Sequence, residues 1–120
     1  MTSFKLKSRQ WIVDEKGRII IGEGRLEILD NIERTGSINK TAKLMKMSYK
    51  GVWGKIKATE KYLHLTVVDT DRRSGSSLTK EGKKLLEKYR LLKKRCLEAE
   101  EEIFNEIFGQ GSLNVEDLKR

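Results

Sequence analysis

Two short amphipathic patterns, separated by a turn of about three residues, constrain the fold of this chain more than any other feature of its sequence. The first covers residues 38–45, and the second begins at Tyr49 and ends near Tyr62; each repeats apolar residues at the spacing of one helix face. Ser37 and Ser48 precede the two patterns, and serine is a favoured helix N-cap. Two short helices joined by so tight a turn predict a helix-turn-helix. The predicted inward positions are Ile38, Ala42, Met45, Val52, Ile56, Thr59 and Leu63.

Shorter elements precede this pair. The β-compatible residues 5–13, the turn signal at 14–17 and the apolar run 18–21 predict a small hairpin. A helix is predicted from about residue 24 to residue 34, because apolar residues recur there at helical spacing. Gly36 follows as a natural C-terminal cap, since glycine adopts the left-handed conformation without steric cost.

The residues after the pair predict a second hairpin and one long helix. Residues 65–69 form a short β run, residues 70–77 a loop, and Leu78 resumes the apolar pattern, as in the wing of a winged helix. Thr79 is the predicted cap of a helix over residues 80–108. Apolar residues along that helix follow a heptad seam, from which we expect a homodimer. The predicted dimer contacts are the seam residues Leu85, Tyr89, Leu92, Cys96, Ala99 and Ile103, together with Ile107, which widens the apolar stripe.

The expected fold class is therefore mainly α with small β hairpins: a winged helix-turn-helix plus a long C-terminal dimerisation helix. We place the winged helix-turn-helix at residues 4–79, the dimerisation helix at 80–108 and a flexible tail at 109–120. The 120 residues include no proline, which agrees with long helices because proline breaks helix interiors. A chain of this length can bury a core of its own.

The charge is strongly positive, and its distribution indicates the partner. With 26 Lys+Arg against 18 Asp+Glu, the net charge is +8. Residues 40–61 hold seven lysines and a single acid, Glu60, whereas residues 96–108 hold five glutamates and no lysine or arginine. Such a balance suits nucleic acid first and a membrane surface second. Because the lysines fall on the predicted helix-turn-helix, we expect double-stranded DNA as the partner and no membrane.

Few residues suit catalysis or metal binding. The chain has one histidine, His64, and one cysteine, Cys96, so no His/Cys metal site is expected. No nucleophile–base pairing stands out, so neither enzymatic activity nor a cofactor is expected. No signal peptide is visible, and no apolar run reaches the roughly 18–20 residues that span a bilayer. The single cysteine fits a reducing cytoplasm, where we expect the protein to be.

The outer face of the second helix of the pair is the candidate DNA surface. In helix-turn-helix docking this helix enters the major groove with its N-terminal residues nearest the base edges. We therefore assign Lys50 to a guanine, and Lys57 and Lys61 to phosphates. Arg72 and Arg73 at the wing tip are expected in the adjacent minor groove. The predicted DNA contacts are Ser37, Lys40, Lys43, Ser48, Tyr49, Lys50, Trp53, Gly54, Lys57, Lys61, Arg72, Arg73 and Ser74.

Two glycines in this helix need an explanation, because each costs a helix about 1 kcal/mol relative to alanine. Gly54 points outward, which favours close approach to a DNA groove. Close packing against another helix is the alternative, and it weighs more for Gly51. For Tyr49 and Trp53 the alternative to DNA contact is stacking in the core, and this structural role weighs more for Trp53.

Three stretches carry a resemblance to a known family. They are Gly24-Arg25-Leu26, then TGSINKTAKLMKMSYKGVW at residues 35–53, then LTKEGKKLLEKY at residues 78–89. Together they resemble the N-terminal DNA-binding domain of ModE-type molybdate-responsive transcriptional regulators, and the opening LTKEG is shared more loosely with LysR-type regulators. The resemblance covers about residues 5–108. It implies a sequence-specific, homodimeric DNA-binding transcriptional regulator.

The chain also departs from that family. Its wing reads DRRSGSS, with Arg72 and Arg73 where the family has glycines. Full-length members carry C-terminal molybdate-binding modules, and no such segment follows the predicted long helix, so direct molybdate sensing is not expected. Two alternatives to the main hypothesis follow. One is a winged-helix protein-interaction module; the other is a DNA-binding subunit whose effector domain belongs to a separate effector-binding protein, docked on Glu98 and Glu100–Glu102.

Overall fold

The computed structural model describes residues 2–109, 112–113 and 115–120, and most of these residues are helical. Each strand pairs with one antiparallel neighbour: β1 with β6, β2 with β3, and β4 with β5. This order confirms the predicted fold class, a winged helix-turn-helix followed by a long helix. The elements are β1 (Thr2–Ser3), β2 (Ile12–Val13), β3 (Ile19–Ile21), α1 (Glu23–Thr35), α2 (Ile38–Leu44), α3 (Tyr49–Leu63), β4 (Val68–Asp71), β5 (Gly75–Leu78), α4 (Lys80–Phe108), β6 (Ser112–Leu113) and α5 (Val115–Lys119).

The chain divides into two compact units. The winged unit is Gln10–Tyr89, and the terminal unit contains the described parts of residues 1–9 and 90–120. Within the terminal unit, Ser8 Oγ donates a hydrogen bond to a carboxylate oxygen of Glu100, and the Phe104 and Phe108 rings lie 5.1 Å apart. The predicted flexible tail falls in this unit. Its described residues include β6 and α5, residues 110, 111 and 114 lie outside the described part of the chain, and the flexibility stays a prediction.

The core of the winged unit joins α1, α2 and α3 to β3, to the start of β4 and to the first turns of α4. The predicted inward residues of the helix pair lie in this core or against it, Met45 and Leu63 being half-buried. Burying these aliphatic side chains is the main stabilising contribution, at about 25 cal/mol per Å² of apolar surface. The buried apolar residues are Ile20, Ile21, Ile28, Leu29, Ile32, Ile38, Ala42, Val52, Ile56, Val67, Val68, Leu78, Leu86 and Tyr89.

The helix ends follow the sequence signals. Gly36 ends α1 in the left-handed conformation at φ 70°, and its backbone N–H donates to Ile32. Ser37 and Ser48 each accept a hydrogen bond, of 3.0 and 2.9 Å, from the backbone N–H three residues later. Thr79 Oγ1 does the same for Gly82 at the start of α4, at 2.9 Å. These caps satisfy amides that a helix N-terminus otherwise leaves unpaired.

Both hairpins differ from their predicted limits. The first strand of the N-terminal hairpin is only Ile12–Val13, because its partner is three residues long and the register shifts between these two residues. In the wing, strand structure starts at Val68 rather than at residue 65, and most of the predicted loop 70–77 is paired. The turn needs only residues 72–74, since the Asp71 carboxylate accepts from the amides of the two residues that follow Arg72.

One residue of the predicted dimer seam is placed wrongly. Tyr89 is only 1% exposed, and its hydroxyl donates to the Gln10 carbonyl at 2.5 Å. The ring therefore lies in the core of the winged unit, where a second chain has no access to it. Heptad spacing could not reveal this, because an apolar residue facing its own domain and one facing a partner helix show the same period.

Candidate nucleic-acid interface

Helix α3 is held in place by a polar node as well as by its apolar face. Arg25 Nη1 donates to the carbonyls of Ile19 and Ile20 and, at 3.2 Å, to Thr59 Oγ1. The Thr59 hydroxyl in turn donates to the Ile20 carbonyl at 2.7 Å. Burial lowers the pKa of Arg25, and the three acceptors satisfy its partly desolvated guanidinium. The node joins α1, β3 and α3, so α3 has a fixed orientation in the winged unit.

The turn between α2 and α3 is tight and sharply defined. Lys46 adopts the left-handed conformation at φ 55°, and the Met47 amide donates to the Ala42 carbonyl at 2.9 Å. A left-handed lysine is strained relative to glycine, so the surrounding helices impose this geometry. The turn presents the N-terminus of α3, with Ser48 and Tyr49, to solvent.

The predicted outward face of α3 is exposed. Lys50, Gly54, Lys57 and Lys61 all lie at the surface, while Val52 and Ile56 on the opposite face are at most 3% exposed. Lys40 and Lys43 of α2 are also exposed, and Ser37 is half-buried at the start of that helix. The lysines of both helices thus lie on the solvent side of the pair, where their ammonium groups can meet phosphates.

Aromatic side chains continue this face at the N-terminal half of α3. The Tyr49 and Trp53 rings stack with centroids 6.5 Å apart and an interplanar angle of 17°. Lys57 Nζ lies 4.4 Å from the centre of the Trp53 ring. Tyr49 is 50% exposed, whereas Trp53 is half-buried and packs against the core, so the stack lies where the core meets the surface. These contacts orient the three side chains in the free protein.

The two glycines of α3 have different surroundings. A Cβ on Gly51 would lie 3.0 Å from Ser48 Oγ, so this glycine makes room for the capping serine. Around Gly54 no neighbouring atom lies within 4 Å of the position that a Cβ would take. Packing inside the described part of the chain therefore does not explain Gly54.

The wing is tied to the turn between α1 and α2 close to its tip, where it presents basic residues. The Ser76 amide donates to the Gly36 carbonyl at 2.8 Å, which ties β5 to the turn between α1 and α2. Arg72, Arg73 and Ser74 are exposed at the turn between β4 and β5. The Asp71 carboxylate accepts hydrogen bonds from the backbone amides of Arg73 and Ser74, which holds this turn.

Glu60 has no role predicted from the sequence, but in the structure this residue of α3 contacts the start of the wing. Its Oε2 accepts from the Val67 and Val68 amides at 2.8 and 3.2 Å, and its Oε1 lies 3.0 Å from Lys57 Nζ. The sequence signal was that Glu60 is the single acid among seven lysines in residues 40–61. Its acceptor role could not be predicted, because the backbone donors come from a loop whose path depends on the tertiary fold.

The apolar residues of α4 beyond Tyr89 are largely exposed. Leu92, Ile103 and Ile107 of the predicted seam have exposed fractions of 41, 53 and 68%, Ala99 is exposed and Cys96 is half-buried. Leu85, which lies in the winged unit, is half-buried. Apolar surface of this extent on one helix is typical of an interaction face.

No group of three or more His, Cys, Asp or Glu side chains could hold a metal ion among the described residues. Within the same residues, no helix combines the length and the apolar character needed to cross a membrane.

Comparison with known proteins also indicates a helix-turn-helix protein. The sequence pattern of the bacterial regulatory helix-turn-helix proteins of the lysR family matches residues 24–83, from the start of α1 into α4. The chain is 29% identical over 116 residues to the molybdenum transport protein ModE of Azotobacter vinelandii, covering 91% of this chain and 43% of that protein. It is 31% identical over 80 residues to the transcriptional regulator ModE of Haemophilus influenzae, covering 63% of this chain and 31% of that protein.

The chain thus spans less than half the length of either relative. Among solved structures, a LysR family transcriptional regulator matches with a TM-score of 0.53 and 22% identity over 76% of this chain and 31% of the other. At this level of identity the likeness concerns the fold alone. It supports the winged helix-turn-helix followed by a long helix.

Proposed function

Because the chain belongs to the lysR family of bacterial regulatory helix-turn-helix proteins, we propose that it is a homodimeric, sequence-specific regulator of transcription that binds double-stranded DNA with α3 in the major groove. Members of this family are transcription regulators rather than enzymes; they bind double-stranded DNA and typically dimerise. The observations that carry the proposal are the exposed basic face of α3 and the exposed arginines at the wing tip.

Each basic residue has a proposed role according to its position. Lys50, in the first turn of α3, reads a guanine edge, and Tyr49 and Trp53 lie beside it at the same groove. Lys57 and Lys61 contact phosphates farther along α3, and Ser74 contacts the backbone at the wing. Arg72 and Arg73 enter the minor groove, whose narrow A-tracts attract arginine. The flanking backbone is met by Lys40, Lys43 and the capped helix ends at Ser37 and Ser48.

Dimerisation is proposed to involve α4. The support is the exposed apolar surface of this helix, which a second copy would cover. In a symmetric dimer the two recognition helices meet half-sites about 34–36 Å apart on a pseudo-palindromic operator. The proposed interface keeps Leu85, Leu92, Cys96, Ala99, Ile103 and Ile107 and omits Tyr89. Light scattering after size-exclusion chromatography tests this dimer. A monomer at micromolar concentration would contradict both the symmetric dimer and its pair of half-sites.

We propose that residues 4–79 bind DNA, that residues 80–108 form the dimer contacts and that residues 109–120 form a tail. Action on chromosomal DNA agrees with the cytoplasm as the location. In a second candidate arrangement, a separate effector-binding protein docks on Glu98 and Glu100–Glu102 of α4. The name of the Azotobacter relative, a molybdenum transport protein, makes a molybdenum compound the candidate effector. Molybdate added to the chain alone should then leave its affinity for DNA unchanged.

Selection from a random DNA pool, followed by binding measurements on variants, tests the proposal. Lys50→Ala should weaken binding to the selected duplex by about 10- to 100-fold and relax the base preference. Arg72→Ala combined with Arg73→Ala should weaken binding to selected and random duplexes alike. It should also reduce the slope of log K against log salt by about 2, since each arginine in the minor groove neutralises phosphate charge and so releases about 0.9 counterion on binding.

The competing protein-interaction module predicts weak binding without sequence preference. If no sequence is enriched, or if the Lys50/Lys57 double alanine variant binds as tightly as the wild type at matched salt, the placement of α3 in the groove is wrong.

A further inference from the structure

Glu60 occupies an unusual position for an acid on a face proposed to bind DNA. Its side chain is only 10% exposed, and it lies in the last turns of α3. A carboxylate near DNA phosphates is repelled by them, so its presence among lysines needs a reason. The reason lies in what its two oxygens contact.

One oxygen of Glu60 fixes the first strand of the wing. Oε2 accepts from the backbone amides of Val67 and Val68, at 2.8 and 3.2 Å. Both residues are buried, at 1 and 4% exposure, so water cannot easily replace this acceptor. Val68 begins β4, and the strand leads directly to Arg72 at the wing tip. The carboxylate is therefore one of the contacts that hold the wing, beside the bond from the Ser76 amide to the Gly36 carbonyl, and it is the one that links the start of β4 to α3.

The other oxygen orients a lysine of α3. Oε1 lies 3.0 Å from Lys57 Nζ, and the same ammonium lies over the Trp53 ring, which stacks on Tyr49. A continuous row of contacts thus runs from the N-terminus of α3, where bases are read, to the amides at the start of the wing. The ion pair also partly neutralises Lys57, which reduces its attraction to any DNA whatever its sequence.

We propose that Glu60 is a positioning residue for DNA recognition: it fixes the wing strand to α3 and holds Lys57 in one orientation. This role rests on the proposed DNA-binding function. Glu60 contributes to the preference for the selected sequence over random DNA, and it opposes non-specific binding. Preorganised groups raise specificity because their correct geometry is set before the ligand arrives.

The test is the ratio of the dissociation constants of the full chain for random and selected duplexes of equal length. Glu60→Gln removes the charge and leaves one amide oxygen as acceptor, so the ratio should fall by about 10-fold, with binding to the random duplex unchanged or tighter. Glu33→Gln is the matched control, because it makes the same charge change on an exposed glutamate of α1. It should leave the ratio unchanged.

Glu60→Asp keeps the charge but retracts the carboxylate by one methylene group, and it should lower the ratio as well. It also serves as the second variant if Glu60→Gln unfolds at the assay temperature, which a denaturant titration reveals. Faster hydrogen exchange at the Val67 and Val68 amides in either variant would show that the wing anchor is released.

The outcomes separate the two proposals. If the wild type prefers a selected sequence and the folded variants keep its ratio within about twofold, the role of Glu60 is refuted and the proposed function stands. Equal weakening on both duplexes would also refute it, because that is the result of a purely structural role. If the wild type shows no preference for any sequence, the proposed function fails, and the role of Glu60 fails with it.

Discussion

Replacing Gly54 by alanine should stabilise the protein and weaken its binding to DNA at the same time. Gly54 lies in the interior of α3, whose limits are Tyr49–Leu63, and no neighbouring atom lies within 4 Å of the position of an added Cβ. The methyl group therefore meets no obstacle in the free protein. It would, however, project from the face that carries Lys50 and Lys57.

The two effects can be estimated separately. Alanine is favoured over glycine in a helix interior by about 1 kcal/mol, and the open surroundings offer nothing to offset this gain. For a unit the size of Gln10–Tyr89, about 1 kcal/mol raises the melting temperature by about 4–8 °C. If α3 approaches the groove as closely as Gly54 allows, one methyl group in the interface costs about 1.4 kcal/mol, a loss of about 10-fold in affinity.

Thermal unfolding and fluorescence anisotropy with the selected duplex measure the two effects. Gly24→Ala is the control, because Gly24 is also an exposed helical glycine without neighbours around its Cβ position, but it lies in α1. This control should gain stability without losing affinity. Undiminished DNA affinity of Gly54→Ala at matched salt would refute the close approach, and an unchanged melting temperature would refute the argument from helix propensity.

Two further predictions concern the first turns of α4. Gly82→Ala should lower the free energy of unfolding by about 1–3 kcal/mol, because its Cβ would overlap the Val67 carbonyl oxygen; an unchanged midpoint in a denaturant titration would contradict this. Burial, with a smaller effect of the Glu23 charge, raises the pKa of Tyr89, so the unfolded chain ionises first as the pH rises above about 10 and stability is lost there. Tyr89→Phe should lose about 1 kcal/mol at pH 7 with the bond to the Gln10 carbonyl, and its stability should fall less steeply above pH 10 than that of the wild type.

Local signals predicted the helices and their ends well. Ser37, Ser48 and Thr79 cap the helices that follow them, and Gly36 ends α1, because capping depends on residues within one turn. The outer face of α3 was predicted equally well, since helical periodicity and burial determine which side chains point outward. The strands were predicted less well, because strand length depends on the partner, as the two-residue β2 shows.

By itself, the sequence determined the helix-turn-helix, the wing, the long helix and the basic face, since all of these follow from short-range periodicity, capping and charge. The tertiary structure alone decided which apolar residue of α4 belongs to the core and which glutamate joins α3 to the wing. Tyr89 bonds to Gln10, which is distant along the chain, and Glu60 accepts from Val67 and Val68, where a loop leads into β4. Such contacts form only once packing brings these backbone groups together, so no local pattern encodes them.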